Sequence, residues 1–412
     1  MKAVRRYHTE RDSVLAMRAP LPKDAPLGLY IHIPFCARVC PYCDFNVYAR
    51  QEYLIPAYIE ALVQEMDLLR ERLGPVRVAT IYFGGGTPSL LPPEAVARLI
   101  RAARERFSVA KDVEIDLEAN PESAREDNLA GYREAGVNRL SIGVQTLHAR
   151  GLKVLGRAHK PHVPEQALVA ARSAGFSNVN LDFIYGWPGQ TLGDWERDLD
   201  IALSWRPEHL SLYALTLEPG TPMQRAVERG VLTVPDDDAV AEMAELAEAK
   251  LAAAGWLHYE VSNWARCPEL ASRHNQIYWK NGRYIGLGAG AHAYLGNTRS
   301  SNERLPARYI ELLRSGRLPV VFEETIDPQT EMTETMVLGL RLLEEGVSAE
   351  AFARRHGRAL EEVYRRELRM LADDGLVEWD GTRVRVSRER WLLVNEIALW
   401  FVPEAVARPA VG

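Results

Sequence analysis

The sequence predicts an α/β fold of six β/α units, a β/α barrel or part of one, followed by a small α+β domain. Three observations carry this. Short apolar, β-branched runs are each followed by a stretch of helical period, and the pair recurs at about thirty residues. Glycine and polar residues gather just past the C-terminal ends of these runs, where parallel β/α folds place their sites. From about residue 325 the alternation gives way to helices and one hairpin. Alternation of this kind implies a parallel sheet with right-handed crossovers. A doubly wound sheet is the alternative arrangement.

The elements follow in order. Residues 1–27 are charged and read as a flexible extension. Leu29–Ile33 is the first strand, stopped by Pro34. Ile55, Tyr58, Ile59, Leu62, Met66 and Leu69 recur at helical spacing. Ala79–Phe83 is the second strand and ends in Gly84-Gly85-Gly86-Thr87; a helix follows from about Pro93 to Phe107. Val113–Leu117 ends at Glu118-Ala119-Asn120, and a helix covers 123–134. Asn138–Val144 ends at Gln145; after a loop with Arg157 a helix covers 164–174. Val179–Ile184 carries Asp182, a helix spans 191–203, and His209–Leu215 is the sixth strand. Residues 236–254 form an amphipathic helix, whereas 255–302 are rich in Trp, Tyr, Asn and Gly without a clear period. Met332, Met336, Leu340 and Leu343 mark a helix, Ala349–Arg355 and Leu360–Asp374 two more, and residues 376–387 a hairpin turning at Asp380-Gly381.

Composition narrows the function. A net charge of −6 with 26% charged residues gives no electrostatic case for nucleic acid. No apolar run approaches the ~20 residues of a membrane span. The first residues hold no apolar signal-peptide core, which points to the cytoplasm.

Cys36, Cys40 and Cys43, three of the four cysteines, sit as C-x3-C-x2-C on the loop after the first strand. In a cytoplasmic protein such a cluster argues for metal rather than disulfides. Structural zinc takes four Cys or His ligands, and the fourth would have to be His32, poorly placed on the strand. A [4Fe–4S] cube held by three thiolates keeps one iron open for a small molecule. The triad favours this cluster over zinc or plain packing. Other residues admit two readings each. The glycines before Thr87 let a ligand approach backbone N–H groups or simply form a tight turn. Glu118 binds a ligand or belongs to a helix N-terminal cap region beside Asn120 and Ser123.

C-x3-C-x2-C after a strand, with Tyr42 before the last cysteine, resembles the radical S-adenosylmethionine (radical SAM) superfamily. The strings YIHIPFC and CPYCDF narrow this to the oxygen-independent coproporphyrinogen III oxidase-like group, in particular its haem-chaperone branch, HemW. The resemblance covers roughly 28–400 and favours an open partial (β/α)6 barrel; the helix–helix–hairpin order of the C-terminal residues resembles a winged-helix domain. It implies a barrel over 28–235, a barrel extension over 236–324, and the small domain over 325–412. It further implies SAM on the open iron, cleavable to a 5′-deoxyadenosyl radical. Tyr30, Tyr42, Gly85, Gly86, Thr87, Glu118, Gln145, Arg157 and Asp182 match positions at that site. The oxidase branch has a further cysteine where this chain has Phe45, so the resemblance implies a haem-binding protein without decarboxylase activity, serving haem-acceptor proteins, membrane-associated respiratory ones included. An active radical SAM enzyme on a porphyrinogen is the competing reading.

Residues 274–279, HNQIYW, resemble the HNxxYW motif of the chaperone branch. This implies haem contacts from His274, Tyr278 and Trp279. Cys267, nearby in the chain, reads either as a second haem ligand or as an ordinary loop cysteine. A histidine among aromatics is otherwise a hydrogen-bonded structural residue. Gly286 to Gly290 reads G-x-G-x-G, too little for a dinucleotide site.

Overall fold

The computed structural model describes residues 27–403. The extension expected over 1–27 lies outside the described residues except for Leu27, which already belongs to the first strand. The six strands are β1 Leu27–Ile33, β2 Arg77–Gly85, β3 Ser108–Ala119, β4 Arg139–Gln145, β5 Val179–Tyr185 and β6 His209–Ala214. They lie side by side in chain order, each parallel to the next. A doubly wound sheet reverses its strand order at a switch point; this one does not, so it is of the barrel type. The connecting helices include α1 Ile55–Leu73, α2 Pro93–Arg106, α3 Glu126–Ala135, α4 Val163–Ser173 and α5 Leu192–Ser204.

Packing follows the expected periods. The turn-spaced Tyr58, Leu62, Met66 and Leu69 are the buried stripe of α1. Thr191 and Asp194 close a capping box on α5, a device that stabilises a helix start by about 1 kcal/mol. Trp195 of α5 is fully buried, and its indole donates to the Met243 carbonyl of α6, Asp237–Ala253. β3 alternates differently from a strand packed in oil on both sides. Ile115 and Leu117 are wholly buried on one face, while Glu114, Asp116 and Glu118 share the other. That second face is the interior of the curved sheet, where Asp116 and Glu118 feel the charge of Asp182 on β5.

The barrel stays open on the β1 side. There β1 pairs in parallel with β7, Tyr284–Leu287, and antiparallel β8, His292–Leu295, and β9, Thr298–Asn302, extend the sheet to β10, Val320–Thr325. These strands went unread because runs of four to six residues offer too few positions to count a period. The G-x-G-x-G run is explained by packing. A Cβ on Gly286 would lie 1.8 Å from the His292 carbonyl oxygen, so the glycine permits two backbones to meet.

The chain forms two compact units. One holds the described residues to Lys250 together with Arg283–Glu324; the other holds Leu251–Gly282 and the described residues from Thr325. The segment expected as a single barrel extension, 236–324, is thus divided, and hydrogen bonds show why. Glu65 of α1, 2% exposed, accepts from the Gly288 N–H (2.9 Å), the Asn302 amide (2.6 Å) and the Tyr309 hydroxyl (2.5 Å), which binds the later strands to the barrel. Arg355 instead donates to the Lys280 and Asn281 carbonyls (3.1 and 2.7 Å), which binds 251–282 to the C-terminal helices.

The second unit carries helices Pro328–Gly339, Ala349–His356 and Leu360–Asp373 and a sheet of Val347–Ser348, Arg383–Val386 and Val377–Trp379. This is the winged-helix-like arrangement. Leu340 and Leu343 fall past the end of the first helix, and the short strand Val347–Ser348 was not foreseen. Met336, Leu340, Phe352, Leu368 and Val384 centre its core. Asp380 Oδ1 accepts from the N–H groups of Thr382 and Arg383, both at 2.8 Å, and so fixes the hairpin turn.

Candidate functional site

The C-terminal ends of β1 to β6 surround a cavity of about 450 Å³. The cysteine loop forms one wall. Its base is closed where Phe35–Cys36 pairs in parallel with Tyr48–Ala49 and the Tyr48 N–H donates to the Pro34 carbonyl at 2.7 Å. Within it the Cys43 N–H donates to the Cys40 carbonyl at 3.1 Å. Tyr42 holds the loop down by packing against Leu155, Ile184, Trp187 and Met223. Cys36, Cys40 and Cys43 all line the cavity as free thiols.

Two of the sulfurs already have donors. The Thr87 hydroxyl points at Cys36 Sγ (3.5 Å) and the Arg157 guanidinium at Cys40 Sγ (3.8 Å). Burial pushes the Cys36 thiol up and the Cys43 thiol to about 11. Thiols of this kind stay protonated until iron displaces the proton, so metal loading releases protons. Among the described residues no three His, Cys, Asp or Glu are gathered closely enough for a single metal ion. Three thiols lining one cavity, two of them facing donors, suit an iron–sulfur cube that keeps one iron open.

The glycine turn works differently from the reading that it bares N–H groups to a ligand. Gly85 N–H donates to Glu118 Oε2 (3.1 Å), Gly86 N–H to the Ile33 carbonyl and Thr87 N–H to the Phe35 carbonyl, both 2.8 Å. Gly85 has φ +107°, and a Cβ there would lie 2.3 Å from the His32 ring. The glycines are required by neighbouring protein. With these N–H groups engaged, the turn does not offer them to a ligand.

Glu118, Gln145, Arg157 and Asp182 all line the cavity. Burial raises the Glu118 carboxyl to about 7 against the pull of the Tyr82 hydroxyl, which donates to Oε1 at 2.7 Å. Burial also raises Asp182, opposed by the Ser141 hydroxyl and the Asn180 amide, each donating at 2.8 Å. Gln145 has φ +66° at the strand's end. Arg157 Nη2 donates to Asn120 Oδ1 (2.5 Å) and the Gly143 carbonyl (2.9 Å), while its buried Nε has no partner among the described residues. The wall therefore combines the carboxylates of Glu118 and Asp182 with the Arg157 guanidinium. That is the donor set an amino-acid sulfonium needs.

Tyr30 is the exception. It does not line the cavity but lies beneath it, its hydroxyl donating to His32 Nδ1 (2.9 Å) and its ring stacked on Tyr82 at 6.1 Å. Since His32 Nε2 faces the Asn46 carbonyl at 2.9 Å, Nε2 carries the proton and Nδ1 accepts. The reading from sequence missed Tyr82, Asn120 and Ser141. Tyr82 and Ser141 belong to the polar half of alternating strands, and Asn120 follows the end of β3.

His274, Tyr278 and Trp279 belong to the second unit, on the helix Arg273–Trp279 capped by Ser272. His274 lies inside this unit rather than on its surface. The ring is 1% exposed, its Nε2 lies 2.8 Å from the Tyr278 hydroxyl, and burial lowers its pKa to about 3. Trp279 stacks under the Arg341 guanidinium at 4.8 Å. Cys267, also in that unit, hydrogen-bonds Glu269.

Comparison with known proteins agrees with this geometry. The radical SAM superfamily pattern matches residues 30–202, and that of the HemN C-terminal domain matches 326–393. The heme chaperone HemW of Mycobacterium tuberculosis (strain CDC 1551 / Oshkosh) is 40% identical over 382 residues, 92% of this chain and 95% of that protein. That of Bacillus subtilis is 38% identical over 376 residues, 91% of this chain and 99% of that protein. The structure of coproporphyrinogen III oxidase (HemN) from Escherichia coli, described as a radical SAM enzyme, superposes with a TM-score of 0.79 at 24% identity, covering 92% of this chain and 91% of that one.

Proposed function

Since this chain belongs to the heme chaperone HemW family of the radical SAM superfamily, we propose that it binds haem and delivers it to acceptor proteins while holding a [4Fe–4S] cluster and SAM at the barrel mouth. The observation that carries this is the near full-length relationship to the HemW chaperones. Phe45, 63% exposed at the rim of the cavity, supports it. The proposed setting is the cytoplasm; no helix among the described residues is long and apolar enough to cross a membrane.

In this reading Cys36, Cys40 and Cys43 hold the cluster, which when bound supplies an electron to SAM. Thr87 and Arg157 donate to two sulfurs and so stabilise thiolate charge. Gly85, Gly86 and Thr87 of the glycine turn, with Glu118 and Asp182, would receive the cationic parts of SAM. Arg157, which lines the cavity, would meet its carboxylate. Tyr42 keeps the loop seated. Among acceptors, those of membrane-associated respiratory chains fit the proposal.

Glu118 gives a pH test. Its carboxyl, held up at about 7 by burial, is mostly neutral at pH 6 and mostly ionised at pH 8. A cation favours the ionised form, so wild-type SAM affinity should gain about tenfold over this interval relative to Glu118→Gln. The ligand's own titration is common to both proteins, so the difference isolates Glu118. Calorimetric titrations giving parallel pH profiles would remove Glu118 from the cation site.

The function itself is tested by two assays on reconstituted protein. Haem titration should give a saturable Soret change, and anaerobic incubation with coproporphyrinogen, SAM and a reductant should give no protoporphyrinogen. Product in the second assay would favour the enzyme reading.

A further inference from the structure

Barrel interiors are ordinarily filled by layers of branched aliphatic side chains. Beneath the cavity this one is polar: Ser141 of β4, Asn180 of β5, and His209 and Ser211 of β6 meet there, each no more than 4% exposed. Burying such groups costs free energy unless their donors and acceptors are matched. We propose that Asn180 is a positioning residue, which holds the Asp182 carboxylate above it ionised and turned to the cavity for a cation. This rests on the reading above that Asp182 receives a cationic part of SAM.

Register brings these residues together. Asn180 lies opposite Ser141 on one side and His209 on the other, and Asp182 lies opposite Ser211. Asn180 and Asp182, two apart on one strand, share a face. Asp182 lines the cavity, whereas Asn180 lies below it. The Asn180 amide is used completely. Its Nδ2 donates to Asp182 Oδ1 (2.8 Å) and Ser141 Oγ (2.7 Å), and its Oδ1 accepts from His209 Nδ1 (2.7 Å) and the Ser211 hydroxyl (3.1 Å). Two donors and two lone pairs are all that an amide has. Ser141 in turn donates to Asp182 Oδ2 at 2.8 Å.

These bonds have a direction. With Nδ2 on two acceptors, the amide oxygen faces His209, so His209 carries its proton on Nδ1. Burial and the Arg139 charge lower the His209 pKa well below the usual range, so the ring is neutral. Donors thus reach both oxygens of Asp182 from below, and hydrogen bonds to the charged form of a carboxyl favour that form. Burial presses the other way and raises Asp182. Arg139 on β4 helps to oppose it, while Asp116 and Glu118 on β3 and Asp182 raise one another. Under that pressure the donors from Asn180 and Ser141 keep the charge on the cavity wall. An aspartate at 180 would have the same shape and the opposite effect.

The test exchanges the pair in the reconstituted full chain, with iron content matched and SAM affinity read by calorimetric titration. Asn180→Asp sets two carboxyls within one hydrogen bond, and they then share a proton. SAM affinity should fall by about tenfold or more. Asn180→Ala, which removes the amide without adding charge, should weaken SAM in the same direction and is the measure if Asn180→Asp does not fold. In an Asp182→Asn background neither change should cost further affinity. Asn180→Asp combined with Asp182→Asn regains the hydrogen bond with donor and acceptor reversed. Its stability in urea should exceed that of Asn180→Asp, while its SAM affinity stays low. A residue that only supports the fold would regain affinity together with stability. Wild-type affinity in the folded Asn180 variants, or its recovery in the exchanged protein, overturns the proposal and leaves the SAM reading standing. Unchanged affinity in Asp182→Asn removes the carboxylate from the site and the proposal with it. A reconstituted wild type that binds no SAM overturns both.

Discussion

Cys40→Ala should abolish the cluster absorbance of anaerobically reconstituted protein and lower bound iron and sulfide by well over about tenfold. Even partners one shell away from a metal ordinarily change affinity by 10–100-fold, and here one of three thiolates is lost. Cys40 lines the cavity with Cys36 and Cys43 and receives the Arg157 guanidinium at 3.8 Å. The loop is fixed at its base and by Tyr42, so no other sulfur replaces it. Cys267→Ala is the matched control. Cys267 belongs to the second unit and bonds Glu269, so its loss should leave iron and sulfide unchanged. Full metal content in Cys40→Ala, or its collapse in Cys267→Ala, would refute the three-cysteine assignment.

Arg139→Met should destabilise the barrel by about 3–5 kcal/mol, the range for stripping one partner from a buried ion pair. Arg139 Nε lies 2.8 Å from Asp116 Oδ2, with side chains 3% and 2% exposed. Burial already raises Asp116 to about 7, with Arg139 pulling it down and Glu114 and Asp182 pushing it up. Without the guanidinium the carboxyl rises further. A carboxyl raised above its unfolded value costs nothing at low pH and loses stability as pH climbs through the folded value. The penalty should therefore be larger at pH 8 than at pH 5 in urea denaturation, and adding Asp116→Asn should recover most of it. A pH-independent loss that the second substitution does not relieve would mean that Arg139 acts through packing alone.

Much of the site was legible because its residues lie at strand ends. Cys36, Cys40, Cys43, Thr87, Glu118, Gln145 and Arg157 follow runs whose apolar, β-branched character identifies them as strands, Asp182 lies within such a run, and a parallel β/α sheet brings the ends to one rim. Order along the chain therefore became proximity in space without any distance being known. Tyr30 was placed correctly on its strand yet lies below the cavity, because depth along a strand depends on register, which no single strand encodes.

What the sequence by itself determined was local and periodic: the six strands and their helices, the hairpin at Asp380-Gly381, and the three thiolates with no fourth beside them. Tertiary structure alone decided the rest. Glu65 and Arg355 divided the stretch 255–302 between two units through hydrogen bonds spanning tens to hundreds of residues. The polar half of β3 proved to be a buried interior, since alternation reports two unlike faces but not what covers them. His274 was turned inward and Met370 and Trp400 outward, because a helix's period fixes which residues share a face, and only the neighbours packed against it decide which face meets water.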